Sequence, residues 1–134
     1  MRDQSLEAGI ARYRTWPSLV AMFFEQAEAS HGRPFLWHKQ QGAYRSMSWT
    51  DTAREVARFA NGLRAHGIGP GDRVALIAEN RPEWLIADLG IMAVGAITVP
   101  SYTTYTPNDH LHLLSDSGEK AVVVSTAALC AKVL

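Results

Sequence analysis

Arg73-Val-Ala-Leu-Ile-Ala78 is a short, almost wholly apolar run, preceded by the turn Ile68-Gly69-Pro70-Gly71-Asp72 and followed shortly by Pro82. A strand with no polar face has to be covered on both sides, as the strands of a parallel sheet are. Pro82 suits the first turn of a helix, where its missing N–H costs nothing. That helix is predicted to run to about Val94, with Gly95 ending it. Trp84, Leu85, Ile86, Ala87, Leu89, Ile91, Met92, Ala93 and Val94 surround it, and only Asp88 and Gly90 interrupt, so it has to be buried on most sides. Ala96 to Val99 reads as a second apolar strand and Lys120 to Ser125, rich in valine, as a third. Between them Thr106 caps a helix with Pro107 at its first position and Asp109 in its first turn. Leu111 and Leu114 are expected to form the inner stripe of that helix, and Gly118 closes it. Thr126 starts a last helix, and the chain ends inside it at Leu134. The order from Arg73 onward is β-α-β-α-β-α. Alternation with short connections predicts an α/β fold: a three-layer, mostly parallel sheet with flanking helices.

Upstream the pattern changes. Residues 1 to about 17 are mixed and polar and read as a lead-in crossing the surface. Ser18 is the expected N-cap of a first helix carrying Leu19, Met22 and Phe23, which stops near Ser30 to Gly32. Phe35 to Lys39 and Tyr44 to Trp49 read as a β-hairpin whose connection contains Gly42. Tyr44, Ser46 and Ser48 alternate with Arg45, Met47 and Trp49, a pattern compatible with either face being inward. Thr50 is the expected cap of the next helix, with Ala53, Val56, Ala57, Ala60 and Leu63 as its apolar stripe and Gly67 as the residue past its end.

Composition narrows the function classes. Of 134 residues, 47% are hydrophobic and 19% charged, which supports a packed core and argues against a disordered chain. Formal net charge is +0, so no basic surplus is present to neutralise nucleic-acid phosphates, and no nucleic-acid partner is expected. Arg54 and Arg58 share a helix with Asp51 and Glu55, as a solvated face does. The single cysteine, Cys130, excludes an intrachain disulfide and a Cys-rich metal site, and reads as a small buried hydrophobe. No apolar run approaches the ~20 residues of a membrane span, and Met-Arg-Asp-Gln-Ser-Leu-Glu at the start carries no apolar signal core. A cytoplasmic location without a transmembrane segment is the expectation.

The polar constellations mostly have structural readings. Gly67-x-Gly69-x-Gly71 resembles the start of a dinucleotide fingerprint, but a helix precedes it and a strand follows, the reverse of what a phosphate-binding turn needs. Ser101-Tyr-Thr-Thr-Tyr-Thr106 leaves a strand and enters a helix, which places it at the carboxyl edge of the sheet, where α/β proteins bind ligands. It contains neither Gly nor Lys, and reads as a loop ending in the Thr106 cap. His110 and His112, about 200° apart on a helix, cannot share a metal and are expected on its flanks. His31, His38 and His66 sit near element ends without acidic or Cys partners in sequence. Trp49 and Trp84 read as core. No nucleophile elbow, no Lys-terminated phosphate loop and no metal-ligand spacing occurs, so the residues alone give no catalytic and no metal site, and leave cofactor-binding residues unknown.

Four stretches taken together add a resemblance. Ser48-Trp-Thr50 opens an Ala-rich helix; Gly67-Ile-Gly-Pro-Gly-Asp-Arg-Val74, Glu79-Asn-Arg-Pro-Glu-Trp84 and Gly95-Ala-Ile-Thr-Val-Pro-Ser-Tyr102 follow. In this order and spacing they resemble the N-terminal part of the AMP-forming acyl-activating (adenylate-forming) enzymes, and most closely the long-chain fatty acyl-CoA synthetases. Leu111-x-x-Leu114-x-Asp116-Ser117-Gly118 before a valine-rich strand extends the likeness, which covers about residue 16 to the end. The resemblance implies a ligase that joins a fatty acid to ATP as an acyl-adenylate, with Mg2+, and then passes the acyl group to coenzyme A. It also implies that the Lys-terminated phosphate loop lies beyond Leu134, so no catalytic residue carries over to this chain.

The whole of 1–134 is therefore expected to be a partial N-terminal region of an AMP-binding domain, inactive alone, with the remainder of the parent chain as its first partner. Ala131-Lys-Val-Leu134, apolar and uncapped, agrees with a truncated element. The competing readings are a stand-alone α/β ligand-binding module and an interaction protein without catalysis.

Overall fold

The computed structural model describes residues 7–8, 10–11 and 15–134, so much of the expected lead-in lies outside the described residues. Helix α1 spans Leu19–Ser30, and the Ser18 side chain caps it by accepting from the Ala21 N–H. Strands β1 (Pro34–Gln40) and β2 (Ala43–Ser48) pair antiparallel. Their two-residue loop has positive φ at both Gln41 (50°) and Gly42 (82°), the requirement of the tight turn that matches strand twist. The face that carries Met47 and Trp49 is the inward one, and Tyr44 is left exposed.

Helix α2 runs Trp49–Ala65, and its cap is Ser48, not Thr50. The Ser48 hydroxyl accepts from the Asp51 N–H at 3.0 Å and donates to the Asp51 carboxylate at 2.7 Å, which leaves Thr50 exposed in the first turn. Its buried stripe is Thr52, Val56, Ala60 and Leu63, with Phe59 packed beside it; Ala57 points outward. On the outer face Asp51–Arg54 and Glu55–Arg58 pair at 2.9 and 3.1 Å, the solvated arrangement expected.

The second sheet has the order β4-β3-β5, built from β3 (Arg73–Ile77), β4 (Ile97–Ser101) and β5 (Ala121–Val124), with β3 parallel to both neighbours. Val74 to Ile77 are at most 1% exposed, as an all-apolar central strand demands. Strand β4 continues two residues past the expected end, through Pro100 to Ser101. Proline is tolerated there because β4 is the edge of the described sheet.

Helix α3 (Pro82–Ala93) links β3 to β4, α4 (Pro107–Ser117) links β4 to β5, and α5 (Ala127–Val133) follows β5. Two clusters explain why α3 is apolar nearly all round. Ile91 packs with Ala60, Leu63, Ile68, Val74, Val94 and Ala96, while Ile86 and Leu89 pack with Phe23 and Val56. Phe35 and Trp49 stack in the second cluster with ring centroids 3.7 Å apart, which ties the hairpin to α2. In α4 the inward positions are His110, which is fully buried, with Leu113, Leu114 and Ser117; Leu111 is 65% exposed. The expected Leu111 and Leu114 stripe is thus one position out on its first member, and His110 is no flank residue.

At the amino edge of the sheet, the Asp72 carboxylate accepts from Lys120 Nζ at 2.9 Å and from the Gly69 N–H at 2.8 Å. Lys120 foremost, then the Gly69 N–H, hold the Asp72 carboxyl below its ordinary range. A carboxyl depressed in the folded state stabilises above its unfolded value of about 3.9 and loses that contribution as pH falls through the folded value. The stability difference between the parent chain and Asp72→Asn should therefore be present at neutral pH and shrink as pH drops below about 4. Urea titrations at a series of pH values measure it, and a gap independent of pH would remove the carboxylate from the account.

Candidate functional site

All three strands of the parallel sheet point the same way, so the loops 78–81, 102–105 and 125–126 gather at one edge. The connection from β3 to β4 moves outward, and the one from β4 to β5 moves back past β3. Right-handed crossovers in opposite directions put α3 and α4 on opposite faces of the sheet. The chain therefore leaves β3 and β4 toward opposite faces and opens a crevice between their ends, the position at which α/β sheets bind ligands. The crevice measures about 530 Å³; Ala78, Glu79, Asn80 and Trp84 form one wall and Pro100, Ser101, Tyr102 and Thr103 the other.

Each wall is held from behind. The Ser125 hydroxyl donates to the Glu79 carboxylate across the end of β5. That bond first, then Glu79's own backbone N–H, keep the Glu79 carboxyl below its ordinary range. Arg81, the nearest cation in sequence, donates to Glu83 through two nitrogens at 2.8 and 3.1 Å. On the opposite wall Tyr102 and Tyr105 meet edge to face with centroids 5.4 Å apart. His110 lies beneath, with Nδ1 3.4 Å from Ser101 Oγ and its ring 5.9 Å from Tyr105. Lys132 of α5 donates to the Thr103 carbonyl at 3.2 Å, so the lysine missing from the loop's own sequence arrives from elsewhere, as a structural clamp. Thr106 and Asp109 form a reciprocal capping box, as the sequence predicts for the loop's end.

A wider hollow of about 910 Å³ lies between β1 and the start of α3, lined among others by Trp37, His38, Tyr44, Arg81 and Glu83. It shares Glu79 and Asn80 with the crevice and extends from there toward the hairpin, whereas the crevice spans the ends of both β3 and β4, so topology favours the smaller crevice.

The other sequence candidates separate from this site. The Gly67 to Gly71 turn is at the amino edge, and its donors are spent: the Gly69 N–H on Asp72 and the Gly71 N–H on the Gly95 carbonyl. It offers nothing to a phosphate. His112 is exposed while His110 is buried, and among the described residues no group of three or more His, Cys, Asp or Glu is arranged to hold a metal ion. Trp49 and Trp84 are both half-buried: Trp49 packs against the core cluster as expected, whereas Trp84 lines the crevice. Cys130 is half-buried. Among the described residues no Lys or Arg lines the crevice and one carboxylate does, so these residues do not fit a nucleoside triphosphate with its magnesium, nor the phosphates of coenzyme A. Among the described residues no helix is long and apolar enough to cross a membrane.

Comparison with known proteins places the fold. The family model for AMP-binding enzymes matches residues 23–134. The long-chain-fatty-acid–CoA ligase FadD15 of Mycobacterium tuberculosis is 33% identical over 107 residues, covering 80% of this chain and 18% of the ligase. A 3-hydroxybenzoate–CoA/4-hydroxybenzoate–CoA ligase of Thauera aromatica is 33% identical over 87 residues, covering 65% of this chain and 17% of that protein. The inhibitor-bound crystal structure of the N-terminal domain of FACL13 from Mycobacterium tuberculosis superposes with a TM-score of 0.76 at 28% identity, over 84% of this chain and 28% of the other. The chain thus spans less than a fifth of the length of these curated relatives. The parallel sheet, its flanking helices and the match from residue 23 onward agree, and this chain belongs to the family of AMP-binding enzymes.

Proposed function

We propose that this chain is the N-terminal part of an AMP-forming acid–CoA ligase acting on a fatty acid. The observation that carries the reading is the 33% identity to a long-chain-fatty-acid–CoA ligase over 107 residues. The matches to aromatic-acid ligases are as close but shorter, at 87 and 78 residues for the hydroxybenzoate and feruloyl enzymes. ATP, Mg2+, coenzyme A and the fatty acid belong to the reaction of the whole enzyme, which is proposed to work in the cytoplasm. The 134-residue chain is proposed to be inactive alone, because a carboxylate approaching the α-phosphate of ATP needs preorganised positive charge, and among the described residues no Lys or Arg lines the crevice while Lys132 is spent on the Thr103 carbonyl.

The test starts from the source reading frame, extended past the codon for Leu134. A frame that continues into a Ser/Thr/Gly-rich loop ending in Lys should yield a protein that releases pyrophosphate from ATP with palmitate and then forms palmitoyl-CoA. A faster reaction with 4-hydroxybenzoate would move the substrate class from fatty to aromatic acids. A stop codon at that point would withdraw the ligase assignment. ATP-dependent pyrophosphate release by residues 1–134 alone would overturn the inactivity.

A further inference from the structure

We propose that the crevice at the carboxyl edge of β3 and β4 binds an organic cation, a guanidinium or alkylammonium group, between Glu79, Trp84 and Tyr102. Among the described residues the Glu79 carboxylate is the one charged side chain in its lining, and the Lys132 ammonium is engaged with the Thr103 carbonyl of the opposite wall. The Ser125 hydroxyl anchors that carboxylate from behind, and the group is ionised at neutral pH because its carboxyl is held below the ordinary range. The neighbouring Arg81 spends two donors on Glu83 and acts on Glu79 only as a nearby charge.

Two aromatic side chains share the crevice with that charge. Trp84 is half-buried on the Glu79 wall, and Tyr102 stands 71% exposed on the other, braced edge to face against Tyr105. Indole and phenol rings present negative faces that attract cations. The remaining polar wall suits the same ligand: the Asn80 side-chain carbonyl and the Ser101 and Thr103 hydroxyls are acceptors for N–H donors. The site goes beyond the ligase reading, since neither ATP nor a carboxylic acid is a cation.

The experiment follows the indole N–H signals of the 15N-labelled chain by NMR, with Trp84 assigned by loss of its signal in Trp84→Phe. N-propylguanidinium is the probe, and N-propylurea, of nearly the same shape but neutral, is the control. The guanidinium should move the Trp84 signal saturably while the urea does not. Glu79→Gln, an exposed and nearly isosteric change, should weaken the binding about tenfold, the loss of one charge-assisted hydrogen bond, and leave the other three indole signals in place. Tyr102→Leu should weaken it as well. An equal response to propylurea, binding unchanged in Glu79→Gln, or no saturable shift in the millimolar range would each overturn the proposal. An acetyl-Gly-Arg-Gly-amide peptide then separates the sources of the cation. Tighter binding than propylguanidinium supports an arginine side chain of a neighbouring polypeptide, and equal or weaker binding supports a free small cation.

Discussion

Leu76→Ala lowers the unfolding free energy by about 3 kcal/mol. The residue is 1% exposed in the central strand, in register with Pro100 on one side and Val123 on the other. Deleting its three outer carbons leaves a hole that cannot close easily, because β3 is hydrogen-bonded along both edges and its neighbours Val74, Ala75 and Ile77 are themselves fully buried. The cost is then the lost transfer free energy plus a cavity contribution. Urea unfolding of the chain measures it. A loss below ~1 kcal/mol, the size of an average substitution, would mean that the strand can relax and that the sheet is less tightly clamped than its burial shows.

Gly90→Val costs about 2–3 kcal/mol and does so at the contact between α2 and α3. A Cβ built on Gly90 would lie 2.6 Å from Phe59 Cδ1, with the Val56 carbonyl oxygen at 3.4 Å and the Ala60 nitrogen at 3.5 Å. Valine is the better helix former of the two by a few tenths of a kcal/mol, so propensity alone predicts a small gain. Overpacking wins because the new Cβ would stand well inside contact distance of the Phe59 ring while the α2 backbone is already at contact distance from it. Phe59→Ala in the same chain should return part of the loss, since it removes the nearest obstacle. Four-variant denaturation curves give that coupling. A stable Gly90→Val, or the absence of any relief from Phe59→Ala, would sink the close-approach explanation.

The sheet was legible because its strands are apolar runs between turn residues, and a run such as Val74 to Ile77 admits few other fates. Caps were less so. Ser48 and Thr50 are both cap-type residues two positions apart, and only the hydrogen bond from the Asp51 N–H to Ser48 decides between them. The stripe of α4 is hard to read at Leu111 because apolarity points to leucine whereas helical spacing from Leu114 and Ser117 leads back to the buried His110. Only one wall of the crevice had a signature in sequence, the Ser101 to Thr106 loop between a strand and a helix. The two walls come from segments about 20 residues apart that only the parallel pairing of β3 and β4 brings side by side, and the Glu79 carboxylate meets Ser125 across 46 residues. Spacing within one segment cannot encode such a pair.

The strand order β4-β3-β5 sets a timetable for the growing chain. Val74 waits 24 residues for its partner Thr98, but 47 for Ala121. Closing the longer span costs only about 0.6 kcal/mol more, so the difference between the two is one of sequence of events rather than of final stability. As the polypeptide leaves the ribosome, β3, α3 and β4 can assemble on the already emerged α1 and α2 while β5 is still unmade. During that interval the flank of β3 that β5 will occupy is a bare apolar strand edge, the kind of surface to which chaperones bind and from which neighbouring nascent chains aggregate.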